Sequence, residues 1–416
     1  MRLVFWHPFL SIHHAPVLRR LSSMPGIKVQ LVTRTALEAG RDSGGWSVPD
    51  YGDTEVFDTS RGDWRELAQS VVNSSAGDET LHLISDALSH PISRYAWKYC
   101  RDRGVPFGFI CIRPGMYVGP FGRVWRKVFY RQYVRRAAAA ANPILTVAAD
   151  CREYFLKSGF AGERIFPWAY FVDPPDYHSP LTTHHSPLRL ICLGRLIKRK
   201  RIDLLLRAIA ALRPQRDVSL AIVGGGPEED ALKRMACEMR LDGHVTFKPS
   251  VPHERVPGEL QKYDALVLPT ELDDWGVVVN EALQAGLAVI TTQNAGASEL
   301  IEHSHAGLVC GCDAEAMKRA IATLHDSPQA LFAMRKHAQE YAKTISPQSA
   351  AQYLLAIARH VLHAEPRPDT PWFTTTPQET IANDRTQDRF CYRGGSLAGA
   401  HRLLRADATA HLHPRT

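Results

Sequence analysis

Leu268-Pro-Thr-Glu-Leu-Asp-Asp-Trp-Gly-Val-Val-Val-Asn-Glu-Ala-Leu-Gln-Ala-Gly-Leu-Ala-Val-Ile290 is the stretch that decides the fold. An apolar run ends at Leu268, a polar loop follows, a helical pattern starts near Val277, and a second apolar run begins at Ala288. Strand, loop, helix, strand is the unit of a parallel sheet covered by helices. Gly276 lets the backbone approach a ligand closely. The amides of Val277 and Val278, at the start of the helix, point back at the loop and favour an anion there. Glu281, one turn in, can accept paired hydroxyl hydrogen bonds, as from a ribose. Asp273 stands on the loop ahead of the helix, where it can hold hydroxyls of a second sugar. Trp275 has two readings of equal weight, a ring that stacks on a ligand or a packing residue.

The same alternation extends in both directions. Downstream of the midpoint, strands are expected at 188–193, 219–223, 244–247, 265–268, 288–291 and 307–309. The helices between them include 201–212, 228–239, 277–285 and 314–325. Upstream, strands are expected at 3–6, 27–33, 81–85, 106–112, 144–148 and 165–169, with helices at 15–22, 92–101 and 123–141. Continuous apolar strands of this kind belong to sheets buried on both faces. The chain therefore reads as α/β, with two Rossmann-like parallel-sheet domains at 1–172 and 188–345. The segment 173–187, rich in proline and histidine, reads as a linker. A helix at 346–363 is expected to return to the first domain, and 364–416 to be poorly ordered. Ligands of such sheets bind at the carboxyl ends of the strands. Two facing sheets would place that edge in an interdomain cleft.

Two further motifs fall at such ends. Leu193-Gly-Arg-Leu-Ile-Lys-Arg-Lys-Arg-Ile-Asp203 leads from a strand through Gly194 into a basic turn. Ile222-Val-Gly-Gly-Gly-Pro-Glu-Glu229 ends a strand in glycines, of which Gly224 and Gly226 are candidates to lie beside a nucleotide. It is not a dinucleotide fingerprint, because Glu229 stands where G-x-G-x-x-G needs its last glycine. In this order and spacing the motifs resemble those of the family 4 retaining glycosyltransferases, which have the GT-B fold. Their pattern E-x7-E is matched by Asp273, one methylene shorter, and Glu281, and their A-G-x-P-V-I by a run with Ala288 for proline. Ala295-Gly-Ala-Ser-Glu299 and Gly307-Leu-Val-Cys-Gly-Cys-Asp313 occupy the places of two later family motifs. The resemblance covers about 188–345; the first half is similar in layout only.

The resemblance implies a nucleoside-diphosphate sugar as donor substrate and retention of anomeric configuration, with no cofactor and no metal. It implies that Arg195 and Lys200 hold the donor diphosphate, Glu281 its ribose and Asp273 hydroxyls of its sugar. Fixed cations there would stabilise the charge that grows on the leaving diphosphate. Lys198, Arg199 and Arg201 read as solvated. In the family the first domain faces the acceptor, which makes His7, His13, His14 and His90, near its strand ends, acceptor-side candidates.

The 416 residues carry a formal net charge of +7, a balance that favours anionic partners. Residues 113–142 contain no Asp or Glu, and from Arg123 to Arg136 they interleave arginines with aromatics. Such a stretch suits an anionic membrane surface, and hence a glycan or lipid-linked acceptor. No nucleic-acid module is visible, and no nucleic-acid partner is expected. Eight cysteines without C-x-x-C spacing argue against a zinc ribbon or a disulfide framework. The apolar run at the N-terminus is short and broken by His7 and Pro8, and no stretch nears the roughly 20 apolar residues of a membrane span. A cytoplasmic protein, peripheral at the inner face of the membrane, is expected. Two rival readings are a nucleotide-sugar epimerase on the same fold and a non-catalytic binding or scaffold protein.

Overall fold

The strand Arg2–Phe9 (β1) is buried at six consecutive positions, Leu3 to Pro8, which only a strand covered on both faces can be. Its side chains alternate between two cores. Leu3 and Phe5 enter one, and Val4 and Trp6 enter the other. The structure, a computed structural model, describes residues 1–35, 48–60, 63–75, 79–87, 90–112, 137, 139–175 and 187–373. In it β1 lies inside a seven-stranded sheet with Lys28–Thr35 (β2), Glu55–Asp58 (β3), Thr80–Ser85 (β4), Phe107–Cys111 (β5), Ile144–Val147 (β6) and Ile165–Trp168 (β7). The order is β3-β2-β1-β4-β5-β6-β7, and every pairing is parallel.

The second half repeats the plan. Leu188–Leu193 (β8), Val218–Val223 (β9), Val245–Lys248 (β10), Ala265–Leu268 (β11), Ala288–Thr292 (β12) and Gly307–Cys310 (β13) form a sheet of order β10-β9-β8-β11-β12-β13, again all parallel. On β11, Ala265 and Val267 face one core while Leu266 and Leu268 face the other. Each sheet has one place where the order reverses, between β1 and β4 and between β8 and β11. Doubly wound sheets bind ligands at those switch points.

Besides a core of its own, each sheet contributes to a shared one. One buried cluster takes Leu3, Phe5 and Leu83 from the first sheet and Ile191, Leu266 and Val289 from the second. Helix Pro347–His363 packs on helix Ala15–Ser22 of the first half and adds Leu354 and Ile357 to that cluster.

The expectation for 364–416 needs correction at its start. Residues 364–373 are pinned, with Trp372 1% exposed among Trp168, Phe171 and Tyr353. The Arg367 guanidinium donates to the carbonyl oxygens of Gly162, Glu163 and Ile165. Two aromatics and one arginine fasten a segment whose other residues are three prolines, an alanine and three polar residues. Residues 374–416 lie outside the described residues, as do 176–186 of the expected linker and the basic stretch 123–136. The edge strand β3 and helix Trp64–Asn73 were not expected. Glu-Val-Phe-Asp is short and largely exposed, so it carries no apolar run to reveal it.

Candidate functional site

At the β8/β11 switch point the backbone comes first. Gly194 and Gly224, directly after β8 and β9, have φ of 145° and 144°. A Cβ on Gly224 would lie 2.0 Å from the Gly194 carbonyl oxygen, and one on Gly226 2.4 Å from that of Leu196. The two strand ends pass backbone to backbone, an approach that only glycine permits. Arg195 follows Gly194, exposed, its guanidinium without an ion pair or hydrogen bond among the described residues.

Lys200 and Asp273, 73 residues apart in sequence, form an ion pair between largely buried side chains. Asp273 is held from both sides by its own backbone. Its N–H donates to Asn294 O at 3.2 Å, and its carbonyl accepts from Gly296 N at 3.1 Å. Gly276, at φ 90°, keeps the turn clear: a Cβ there would meet Leu268 Cδ2 at 2.9 Å and Asp273 Oδ2 at 3.7 Å. Arg199, expected to be solvated, instead buttresses this loop. Its Nη1 donates to Leu272 O at 2.6 Å and lies 4.0 Å from Asp273 Oδ1, and its carbonyl accepts from Glu271 N at 2.8 Å. Arg201 pairs with Asp203 at 3.0 Å.

Glu281 sits in the first turn of helix Val278–Gln284, its side chain 10% exposed. Burial pushes its carboxyl up to about 7. The nearest ionisable partner is His253, with Nδ1 3.5 Å from Glu281 Oε1, and burial lowers the basicity of that imidazole. In the same helix start, Val279 N–H is taken by Gly276 O at 2.9 Å, so the amides of Val277 and Val278 lie ahead of the helical ladder. Of the two readings of Trp275, the geometry supports packing. The ring is 1% exposed, and its Nε1 donates to Asn280 Oδ1 at 2.7 Å. It offers no free face for stacking, which corrects its place among the donor-binding candidates.

Three of the four histidines meet at the β1 end of the first sheet. His7 Nδ1 touches Ser85 Oγ, and its ring stacks on His14 at 4.3 Å. Burial and then the neighbouring His14 hold His7 well below the usual imidazole range, and burial takes His14 to about 4. Both are therefore neutral near pH 7. His7 Nε2 and both nitrogens of His14 are buried without a hydrogen-bond partner among the described residues. His13 and His14 both lie against Tyr170, at 5.5 and 5.6 Å. His90 stands apart from that stack, at the head of helix Pro91–Arg103 after β4, its basicity lowered chiefly by burial.

Sequence reasoning missed Tyr170, Asn280 and His253. Tyr170 meets Trp275 edge-on at 6.4 Å, and Asn280 Nδ2 donates to Tyr170 O at 2.9 Å. The signal for Asn280 was present: it is an amide in the apolar run Val277-Val-Val-Asn-Glu-Ala282. Tyr170 carries no comparable mark.

Residues 175–345 match the family described as glycosyl transferases group 1. Over 154 residues the chain is 34% identical to a GDP-mannose-dependent alpha-(1-6)-phosphatidylinositol monomannoside mannosyltransferase of Mycolicibacterium smegmatis, covering 35% of this chain and 40% of that relative. Over 237 residues it is 25% identical to the amylovoran biosynthesis glycosyltransferase AmsK of Erwinia amylovora, covering 54% of this chain and 58% of AmsK. In both matches the chain spans less than two thirds of the relative's length. Among solved structures, Anabaena Alr3699/HepE in complex with UDP superposes with TM-score 0.64 at 16% identity, over 85% of this chain and 98% of that one. WaaG, a glycosyltransferase involved in lipopolysaccharide biosynthesis, superposes with TM-score 0.56 at 16% identity, over 86% and 99%. At such identity the likeness is one of fold, and the fold is GT-B: two all-parallel α/β halves.

Proposed function

We propose that the chain is a retaining glycosyltransferase that moves a sugar from a nucleoside-diphosphate sugar to a hydroxyl acceptor. The observation that carries the reading is the Lys200–Asp273 ion pair at a switch point, where Arg195, unpaired among the described residues, follows β8. Each charge of the pair neutralises the other. A donor diphosphate supplies a stronger partner for Lys200 and a fork-matched one for Arg195. Asp273 is then released toward hydroxyls of the donor sugar. Glu281 takes the ribose hydroxyls, with Gly194, Gly224 and Gly226 giving backbone access and the amides of Val277 and Val278 facing the diphosphate. As the glycosidic bond breaks, charge grows on the diphosphate and the two cations hold it. Attack from the same face, with a diphosphate oxygen assisting deprotonation of the acceptor, gives that retention. No metal enters this scheme.

The acceptor side is His7, His13, His14 and His90 at the strand ends of the first sheet. We assign a lipid-linked glycan or surface-polysaccharide precursor as acceptor, at the inner face of the membrane. The basic stretch from Arg123 to Arg136 supports this assignment, and so does a relative that bears the name of amylovoran biosynthesis. Thermal unfolding with a panel of nucleoside diphosphates and their sugars tests the donor half. One base should raise the midpoint, and Lys200→Ala and Glu281→Ala should each abolish the rise. A panel with no shift would sink the donor assignment. Transfer to a polyprenyl-linked glycan, faster in anionic than in neutral vesicles, is expected for the acceptor half, and equal rates would remove the membrane from the proposal.

A further inference from the structure

Asn280 is 1% exposed, and an amide so deeply buried is costly unless both its ends are bonded. Both are. Trp275 Nε1 can only donate, and it meets Oδ1 at 2.7 Å; Tyr170 O can only accept, and it meets Nδ2 at 2.9 Å. The two partners fix the orientation of the amide without ambiguity. They also belong to different halves. Trp275 lies on the loop that carries Asp273, and its carbonyl accepts from Ala297 N at 2.8 Å, tying that loop to the next. Tyr170 follows β7 of the first sheet and abuts His13 and His14. Asn280 itself precedes Glu281 in the chain.

A second polar link between the halves, among the described residues, differs in kind. Arg152 on Ala149–Lys157 reaches Glu299 on Ser298–Ser304 at 3.3 Å through charged groups, one of them partly exposed. The amide bridge is uncharged, centred on a buried side chain and adjacent to the donor carboxylates. The geometry points to Asn280 as a positioning residue that couples the donor loop of the second half to the acceptor-side wall of the first, acting through Trp275 and Tyr170. It touches neither substrate. This inference rests on the transferase reading for its kinetic consequence, but the coupling itself is measurable without turnover.

Asn280→Asp keeps the shape and the bond from Trp275 and removes the donor to Tyr170 O. Asn280→Ala removes both bonds and guards against an effect peculiar to the new charge. Hydrogen exchange of full-length protein is the first readout: both variants should lose protection in the segment 166–173, in the half that was not mutated. Steady-state kinetics is the second. Nucleoside-diphosphate affinity and donor KM should stay within about threefold, because the donor residues all lie in the second half. The kcat for transfer should fall about tenfold, and the share of donor lost to water should rise, because closure of the site limits hydrolysis. Unchanged protection at 166–173 overturns the inference, as does a parallel loss of nucleotide affinity and kcat, which would mark a merely structural residue. If wild-type protein binds no nucleotide sugar, the transferase reading fails, and the exchange result still decides the coupling.

Discussion

Glu281 shows what a functional residue costs the fold. Its carboxyl is held near 7 by burial, against an ordinary value of 4.5, so the folded state prefers it protonated. An acid whose folded pKa is raised destabilises the protein progressively as pH rises from about 4.5 to about 7, and by a constant amount above that. The linkage is worth about 3 kcal/mol at pH 8. Glu281→Gln should therefore make the ligand-free protein more stable at pH 8, by roughly 1–3 kcal/mol in urea unfolding, and leave stability near pH 4.5 unchanged. The same variant should weaken nucleotide binding, because hydroxyl donors favour the ionised carboxylate. Destabilisation of the variant at pH 8 would mean that the carboxylate is held by the fold rather than kept for a ligand. Glu281, Asp273 and Lys200 were legible in the sequence because chain order and spacing carry them. The packing of Trp275 and the buttress made by Arg199 were not. Both depend on what lies across the loop, which no local pattern encodes.

Among elements, the strands that enclose the site were the easiest to read and the fastening of the C-terminal segment the hardest. β8, β11 and β12 are apolar runs buried on both faces, so composition alone marks them. β3 is four residues at a sheet edge, and residues 364–373 have no period at all. Their hold on the fold comes from Trp372, which fills a site lined by Trp168, Phe171 and Tyr353, while its carbonyl accepts from the Tyr341 hydroxyl at 2.5 Å. Phe373 beside it packs, tilted by 42°, against His303 of the second half at 4.7 Å between ring centroids. One short segment thus touches the β7 end of the first sheet and a helix of the second. Trp372→Ala should cost about 3–5 kcal/mol, the range for emptying a fully buried aromatic site. A denaturation midpoint unchanged from wild type would show that the segment decorates the fold instead of closing it.

Across the whole molecule the two halves carry buried titratable groups of opposite sign. In the first half, burial keeps His7, His14 and His82 neutral, with His14 at about 4 and His82 at about 3 against an ordinary 6.5. His82 is further locked as a neutral tautomer, accepting from Trp6 Nε1 at Nδ1 and meeting Ser75 Oγ at Nε2. A base whose folded pKa is depressed gives up stability as pH falls below 6.5, at about 2 kcal/mol each for His14 and His82 by pH 5. In the second half, burial lifts Glu281 and Glu299 to about 7, so stability is given up as pH rises from about 4.5 toward 7. Acid should therefore loosen the first sheet, and the rise from about pH 4.5 to about 7 the second. Hydrogen exchange at pH 5 and pH 8, corrected for intrinsic rates, can follow β1 and β4 against β11 and β12 in the same sample. Protection is expected to fall at pH 5 in the first pair and at pH 8 in the second, to the extent that the halves open separately. A uniform change in both would mean that the shared cluster joining Leu3 and Phe5 to Leu266 and Val289 makes the chain one cooperative unit. The opposing contributions would then offset within a single transition, and each would reappear when the other is removed by Glu281→Gln or His82→Gln.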